Sequence, residues 1–512
     1  MAFILTLFDT LLRAPAAPVF GPTRKSQILF GCGLAFVAVV AGLMVSVLPY
    51  WFIIAATTVP LFFALVAWRI EYGVLAVLAL ASGIVDENFL PALSPLRAMD
   101  MALFAVVAIV VAGGSSLSKD FHPSEWKLWI PFTAFLLLVP VSVVYAHFFQ
   151  GVALKDVLGE GRHLMYLLLL PLVVAVLTRR ERVHRFIVGL LVLGLLFSVG
   201  QVVQGIFQVR VFGDAGRLFT AETFGVKAYG ATSSSTQGIN LIVFALCMVA
   251  AWYALKKVRV ITFLLLSAAF AIAILLTFGR TTWGMTLLAV GVVVALLGLR
   301  KSGPMLIWSM VGLSLAFCTL IAVKPAMLDA LVVRVTSVER EIESGSSAAW
   351  RYYEVAEVTP LIVASPVLGV GLGAAYRRPA LSDTFQEQVR YIHSGYLYMV
   401  SKLGVPALSL FLWCLLVVLK WSWHGARNET DAERRGVHAA IGAGIVGLLL
   451  ASVTEPHFMR DASIAYLGVL LGLATVLRRS ASLPATTGTE NTVPASYAAA
   501  TGHHVIRSAD RV

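Results

Sequence analysis

TRRERVHRFIVGLLVLGLLFSVGQVVQGIF, residues 178–207, decides the fold. Its opening run carries Arg179, Arg180, Arg182 and Arg185, and then Phe186 to Phe207 contains no charged residue. A bilayer core accepts about 20 apolar residues per helix, so this run is long enough to cross it, with its charges stopped at the edge. Similar runs recur at Ile28–Leu48, Val260–Phe278 and Met305–Val323. Across the 512 residues, 59% are hydrophobic and 13% charged, and the mean hydropathy is +0.87. Soluble domains carry about 25% charged residues. The chain reads as an all-α polytopic membrane protein.

Length and apolarity place spans near 28–48, 50–68, 72–86, 98–113, 128–147, 164–178, 186–207, 237–255, 260–278, 281–299, 305–323, 395–419, 436–454 and 461–477. Three of these are short, which puts the count at about 12–14. Lys and Arg collect in cytoplasmic loops, and this orients the array. With the N-terminus inside, 23 of the 39 Lys and Arg fall on the cytoplasmic side, including KKVR at 256–259, against eight in the short outer loops. Both termini are therefore expected in the cytoplasm. Two outer loops are long, 208–236 and 324–394, the second with a helical pattern. Loops of this length are often functional, so chemistry is expected on the outer face.

The net charge of +12 follows from these loops. No basic patch interleaved with aromatics lies outside the spans, so no nucleic-acid partner is expected. Cys32, Cys247, Cys318 and Cys414 each sit in an apolar span without metal-ligand spacing. Residues 1–27 read as a cytoplasmic or interfacial N-terminus, with Met1–Pro18 an interfacial helix rather than a cleaved leader, because Asp9 interrupts the apolar stretch and no positive charge precedes it. Residues 480–512, rich in Ser, Thr and Ala, read as a disordered cytoplasmic tail.

Charged residues at outer helix ends are the functional candidates. Arg280 stands between two apolar helices with almost no loop, and taken alone it reads most simply as an anchoring arginine. Arg210 and Arg217 lie in the first outer loop, and Arg162 with His163 opens the sixth span from outside. His393 ends the long outer loop and begins a helix, and a neutral-range imidazole suits removal of a hydroxyl proton. The glycine run GVGLG, 369–373, follows no strand and fits a turn after Ser365-Pro366 better than a nucleotide loop. No phosphate-binding P-loop, zinc motif or serine-nucleophile elbow occurs.

Three blocks together resemble the bacterial O-antigen ligase and O-antigen polymerase superfamily. LTFGRTTWG, 276–284, is similar to the family's Thr-x-Ser-Arg helix turn, with Gly279 in place of serine. Arg351-Tyr-Tyr-Glu354, followed by SPVLGVGLG at 365–373, is similar to its Pro-Leu-x-Gly-x-Gly segment. His393-Ser394, nine residues, then Gly404-Val-Pro-Ala407 resembles the ligase pattern, departing from it at Ala407. The first outer loop lacks the family's Asn-Pro-Asn run.

The resemblance implies a GT-C-like membrane glycosyltransferase in the bacterial inner membrane. It would move or polymerise glycan from an undecaprenyl-diphosphate-linked donor onto a sugar hydroxyl, either of lipid A-core or of another glycan, with no metal, cofactor or nucleotide sugar. It implies His393 as general base and Arg280 as a catalytic charge stabiliser. Arg280 and Arg217 would bind the donor diphosphate, with Arg162 and Arg210 in reserve, and Arg351, Ser394 and Gly404 would support the loop. On this reading residues 28–259 form an N-terminal bundle and 260–479 the ligase-like region. Ligase and polymerase stay open. The competing class is a polytopic transporter or flippase for lipid-linked glycans, against which stands the absence of an internal repeat.

Overall fold

A computed structural model of the chain describes residues 68–84, 97–112, 125–207, 238–323, 347–377 and 388–482, with isolated positions at 66, 211, 325, 331–332 and 335–336. The spans expected at 28–48 and 50–68, the segment 1–27, the loop 208–236 with Arg210 and Arg217, and the tail 480–512 lie wholly or almost wholly outside the described residues.

Within them the protein is almost entirely helical. In chain order the helices are α1 (Ile70–Ala81), α2 (Ala98–Ala112), α3 (Trp126–Val144), α4 (Leu154–Met165), α5 (Leu169–Val176), α6 (Arg180–Phe207), α7 (Ile239–Ala254), α8 (Val260–Leu275), α9 (Arg280–Leu297), α10 (Leu299–Val323), α11 (Ser347–Ala364), α12 (Gly395–Asn428), α13 (Ala432–Thr454) and α14 (Asp461–Ser482). Helix α3 runs on into a π-helical turn, Tyr145–Phe149, and a short 3₁₀ turn, Tyr166–Leu168, joins α4 to α5. The one sheet among the described residues pairs β1 (Tyr376–Arg377) antiparallel with β2 (Gln388–Val389).

Eight helical stretches are long and apolar enough to cross a membrane, and four shorter apolar helices, within α1, α2, α7 and α8, accompany them. These twelve coincide with the last twelve expected spans. The largest boundary difference is at the sixth span. The sixth span begins at Leu154, not near 164, and runs through Val176. Its first turns are polar (Asp156, Glu160, Arg162, His163), and a hydropathy reading discards them.

The helices pack on α13 and α14, whose side chains are mostly buried. Small residues permit the close approach. Gly444 lies against the Tyr466 ring of α14 and Gly436 against the Trp252 indole of α7, and a Cβ at either would meet those atoms at 2.2–2.4 Å. On the outside, Ile261, Leu265, Leu287, Ile307, Met310 and Leu416 are each more than 60% exposed. Such apolar exposure suits lipid, not water. Cys247 and Cys414 are buried and Cys318 is exposed.

The bundle has two polar ends. At one, Arg479 grips Glu125 with two 2.7 Å bonds, Arg180 meets Asp431 at 2.6 Å, and His184 meets Glu433 at 2.5 Å. Nearby, Arg185 donates to buried Glu71 at 2.8 Å. This is the end rich in Lys and Arg. The opposite end gathers the starts of α2, α4, α9, α12 and α14 with α11, the small sheet and the end of α13.

Candidate active site

Two backbone features hold the loop that carries His393. Ser394 caps α12, its Oγ accepting from the Leu397 N–H at 3.5 Å, so His393 is the last residue before the helix. Farther along, α12 is broken at Gly404, which sits at φ +82°. A Cβ there would lie 2.0 Å from the Val367 carbonyl oxygen. Gly369, at φ +66°, approaches the Ser401 carbonyl as closely as a missing side chain allows. Between them the Val370 N–H donates to Ser401 O at 2.7 Å and the Val405 N–H to Pro366 O at 2.8 Å. Only glycine fits such contacts at positive φ. The 369–373 run is thus a turn locked against the break in α12, as its position after Ser365-Pro366 suggests, and not a phosphate cradle.

His393 is joined to Glu354 of α11. The His393 backbone N–H donates to Oε2 at 2.9 Å, and the ring Nδ1 lies 2.7 Å from Oε1. The Tyr376 hydroxyl stands 3.1 Å from that same Oε1 and 3.0 Å from the Tyr391 carbonyl. Glu354 is 2% exposed, while the His393 side chain is 24% exposed. Burial pushes the Glu354 carboxyl up, but the bonds and charge from His393 and the Tyr376 hydroxyl outweigh it and hold the group below its ordinary 4.5. A carboxylate accepting at Nδ1 places the ring proton there and leaves Nε2 as the basic nitrogen. A histidine held in this way by a carboxylate has the geometry of a base with an orienting partner. The sequence singles out His393 but not Glu354, which closes the Arg351-Tyr-Tyr-Glu354 block. The signal was a glutamate one helical turn beyond Arg351.

Residues 265–412 match the O-antigen ligase family model. All three motif blocks, Arg280 and both members of the His393–Glu354 pair fall inside that ligase-family segment, and the resemblance drawn from the blocks is borne out. No curated protein matches the chain.

Polar groups from outside the matched segment, Arg460, Glu455 and Thr454, meet residues within it. The Tyr391 ring packs edge-on to His393 with centroids 5.0 Å apart. Its hydroxyl accepts from Arg460 at 2.6 Å, and burial raises that hydroxyl above its ordinary value, so it stays a neutral phenol. Arg460 also donates to Glu455 at 3.2 Å, and Arg351 approaches the other oxygen of Glu455 at 3.8 Å. Thr281, next to Arg280, meets Thr454, next to Glu455, with hydroxyls 3.0 Å apart. The start of α9 is thereby tied to this group.

Arg162 is placed differently from its expected helix-opening position. It lies in the third turn of α4, 3.9 Å from both Asp100 and Asp461. Its neighbour His163 is bonded to Asp461. Glu160, one turn before His163, receives the Gly373 N–H at 2.6 Å and the Tyr398 hydroxyl at 2.9 Å, with the Lys402 ammonium at 3.4 Å. His457 is a structural histidine. Burial and the Arg460 charge push it down to about 3, and its Nδ1 meets Ser463 Oγ at 2.9 Å. Among the described residues no group of three His, Cys, Asp or Glu is arranged to hold a metal ion.

Proposed function

We propose that the protein transfers or polymerises glycan from an undecaprenyl-diphosphate-linked donor onto a sugar hydroxyl at the outer face of the bacterial inner membrane. The family match supports membrane glycan ligase or polymerase activity in general. The observation that carries the finer reading is the His393–Glu354 pair at the bundle end opposite the basic one. Basic loops favour the cytoplasm, so that end faces the periplasm, where no nucleotide sugar is available.

In this mechanism His393 Nε2 accepts the proton of the acceptor hydroxyl as its oxygen bonds to the anomeric carbon. The carbon–oxygen bond to the diphosphate breaks, and the lipid diphosphate leaves with the electron pair. Attack opposite the leaving group inverts the anomeric carbon. Arg280, with Arg217 beyond the described residues, offsets the growing charge on the diphosphate, a role guanidinium suits because it stays charged and pairs bidentately with phosphate. Arg210 also lies beyond the described residues. Arg162 has two carboxylates beside it, so it is assigned to holding α2, α4 and α14 together rather than to the donor.

The test is reconstitution of the purified protein with a lipid-diphosphate oligosaccharide and a choice of acceptors. Product on lipid A-core identifies a ligase, and lengthened lipid-linked glycan a polymerase. Transfer in His393→Ala at the wild-type rate, in protein that still inserts, refutes the general-base assignment.

A further inference from the structure

Glu455 sits where an anion would be useful. It lies outside the ligase-family segment, in the short connection between α13 and α14. One carboxylate oxygen accepts from Arg460 at 3.2 Å, and the other is 3.8 Å from the Arg351 guanidinium. The second distance exceeds a hydrogen bond, and the buried Arg351 Nε has no hydrogen-bond partner among the described residues. A buried guanidinium donor left unbonded is costly, and a group with more oxygens than a carboxylate could satisfy it. All three side chains are about a quarter to a third exposed, so the group is open to an entering ligand. Arg460 also reaches the Tyr391 hydroxyl, which stacks beside the base His393. The Thr281–Thr454 contact brings the Arg280 end of α9 alongside. Two guanidinium groups thus face one carboxylate, with a third arginine at the neighbouring helix start.

We propose that Arg351 and Arg460 form an anion cradle and that Glu455 is its internal occupant, a carboxylate that yields its place to a phosphate of the incoming donor. The ligand class is a lipid-linked diphosphate, esterified at both ends in the donor and at one end once the glycan has left, and the inference rests on the donor reading above. Before the donor arrives, Glu455 keeps two like charges together in a fixed arrangement. On arrival the phosphate takes the bonds to Arg460 and Arg351, including the open Nε, and Glu455 turns toward solvent. Arg351 then contacts ligand rather than only supporting its loop.

The experiment uses the full chain in lipid nanodiscs. Calorimetric titration with inorganic pyrophosphate and, separately, with a soluble polyprenyl diphosphate separates recognition of the phosphates alone from recognition of the lipid-bearing form. Glu455→Gln removes the competing charge and is expected to tighten binding of at least one probe about tenfold, and Arg460→Ala to weaken it about tenfold. In the Arg460→Ala/Glu455→Gln double variant the gain should disappear, because Glu455 competes only through the cradle. Unchanged or weaker binding in Glu455→Gln, with unchanged thermal melting, overturns the proposal and leaves Glu455 a plain counter-ion. If Glu455→Gln melts early, Arg351→Gln decides in its place: weaker binding supports the cradle and unchanged binding overturns it. The two readings also separate. Normal glycan transfer without this binding pattern sinks the cradle alone, whereas the binding pattern without any transfer sinks the glycosyltransferase reading.

Discussion

Glu354→Gln is the most informative single change. It keeps the size of a buried side chain and removes its charge. The two carboxylate oxygens serve three donors: the His393 backbone N–H at 2.9 Å, His393 Nδ1 at 2.7 Å and the Tyr376 hydroxyl at 3.1 Å. An amide offers one oxygen and one NH₂, so one of the two His393 bonds then sets donor against donor. If the NH₂ faces the backbone N–H, a charge-assisted bond is lost and a buried donor is stranded, at about 1.5–3 kcal/mol. At about 1.4 kcal/mol per factor of ten, that is a roughly 10- to 150-fold loss in transfer rate. If the NH₂ faces Nδ1, the ring adopts the other tautomer, Nε2 carries the proton, and the base is disabled. The comparable carboxylate-to-amide change in a serine-protease triad costs about 10⁴-fold. The assay is single-turnover transfer in nanodiscs with saturating donor and acceptor, with melting temperature as the control for folding. A rate within about twofold of wild type, at unchanged melting, would show that His393 needs no orienting carboxylate. Tyr376→Phe, which leaves the carboxylate intact, should lose much less rate than Glu354→Gln.

Other outcomes follow from the same structure. Gly404→Ala places a Cβ 2.0 Å from the Val367 carbonyl at a backbone angle L-residues avoid, and should cost about 3 kcal/mol or more, read as a large fall in melting temperature or failure to recover folded protein. Lys402→Met strands the buried Glu160 carboxylate and should cost about 3–5 kcal/mol, with Lys402→Met/Glu160→Gln recovering most of it in chemical denaturation. Because the Glu354 carboxyl is held below 4.5 in the folded protein, its stabilisation is present above that value and lost as pH falls through the lower, folded one. The melting-temperature gap between wild type and Glu354→Gln should therefore persist from neutral pH to about 5 and close only below 4.5. A gap already closing at pH 6 would contradict the pairing.

The helical framework was legible because a bilayer demands long apolar runs, and such runs are read directly from composition. Phe186–Phe207 is an example, as is the charged run before it, which becomes the anchoring contacts of Arg180, His184 and Arg185. The start of α4 was not legible for the converse reason. Asp156, Glu160, Arg162 and His163 look like loop residues until their partners are known, and those partners are 50 to 300 positions away in sequence: Arg390, Lys402, Asp100 and Asp461. His393 could be singled out from its type and its place before a helix. Glu354 stands one helical turn beyond Arg351, but nothing local says that its partner lies 39 residues on. Arg351 and Ser394 were expected only as loop supports. In the structure Ser394 caps α12, and Arg351 faces Glu455.

The same pairing logic explains why the candidate site can be polar at the end of an apolar bundle. Ionisable groups near a membrane core are expensive unless partnered, and Glu160, Glu354 and Asp461 each gather two or more donors or cations. These partnerships also fix distances. Glu160 ties α4 to the glycine turn and to α12, the glycine turn locks against the break at Gly404, and Glu354 ties α11 to the residue just before the α12 cap. His393 is therefore positioned by three separate elements, so a shift of the segment leading into α12 would be resisted at each. Arg351 and Arg460 share a single, partly exposed carboxylate at 3.8 and 3.2 Å, and Arg460 also donates to the Tyr391 hydroxyl at 2.6 Å. On the proposed mechanism, a fixed base beside two arginines that share one partly exposed carboxylate suits a two-substrate transfer, since the base would wait in register while the charged donor enters and its diphosphate later departs.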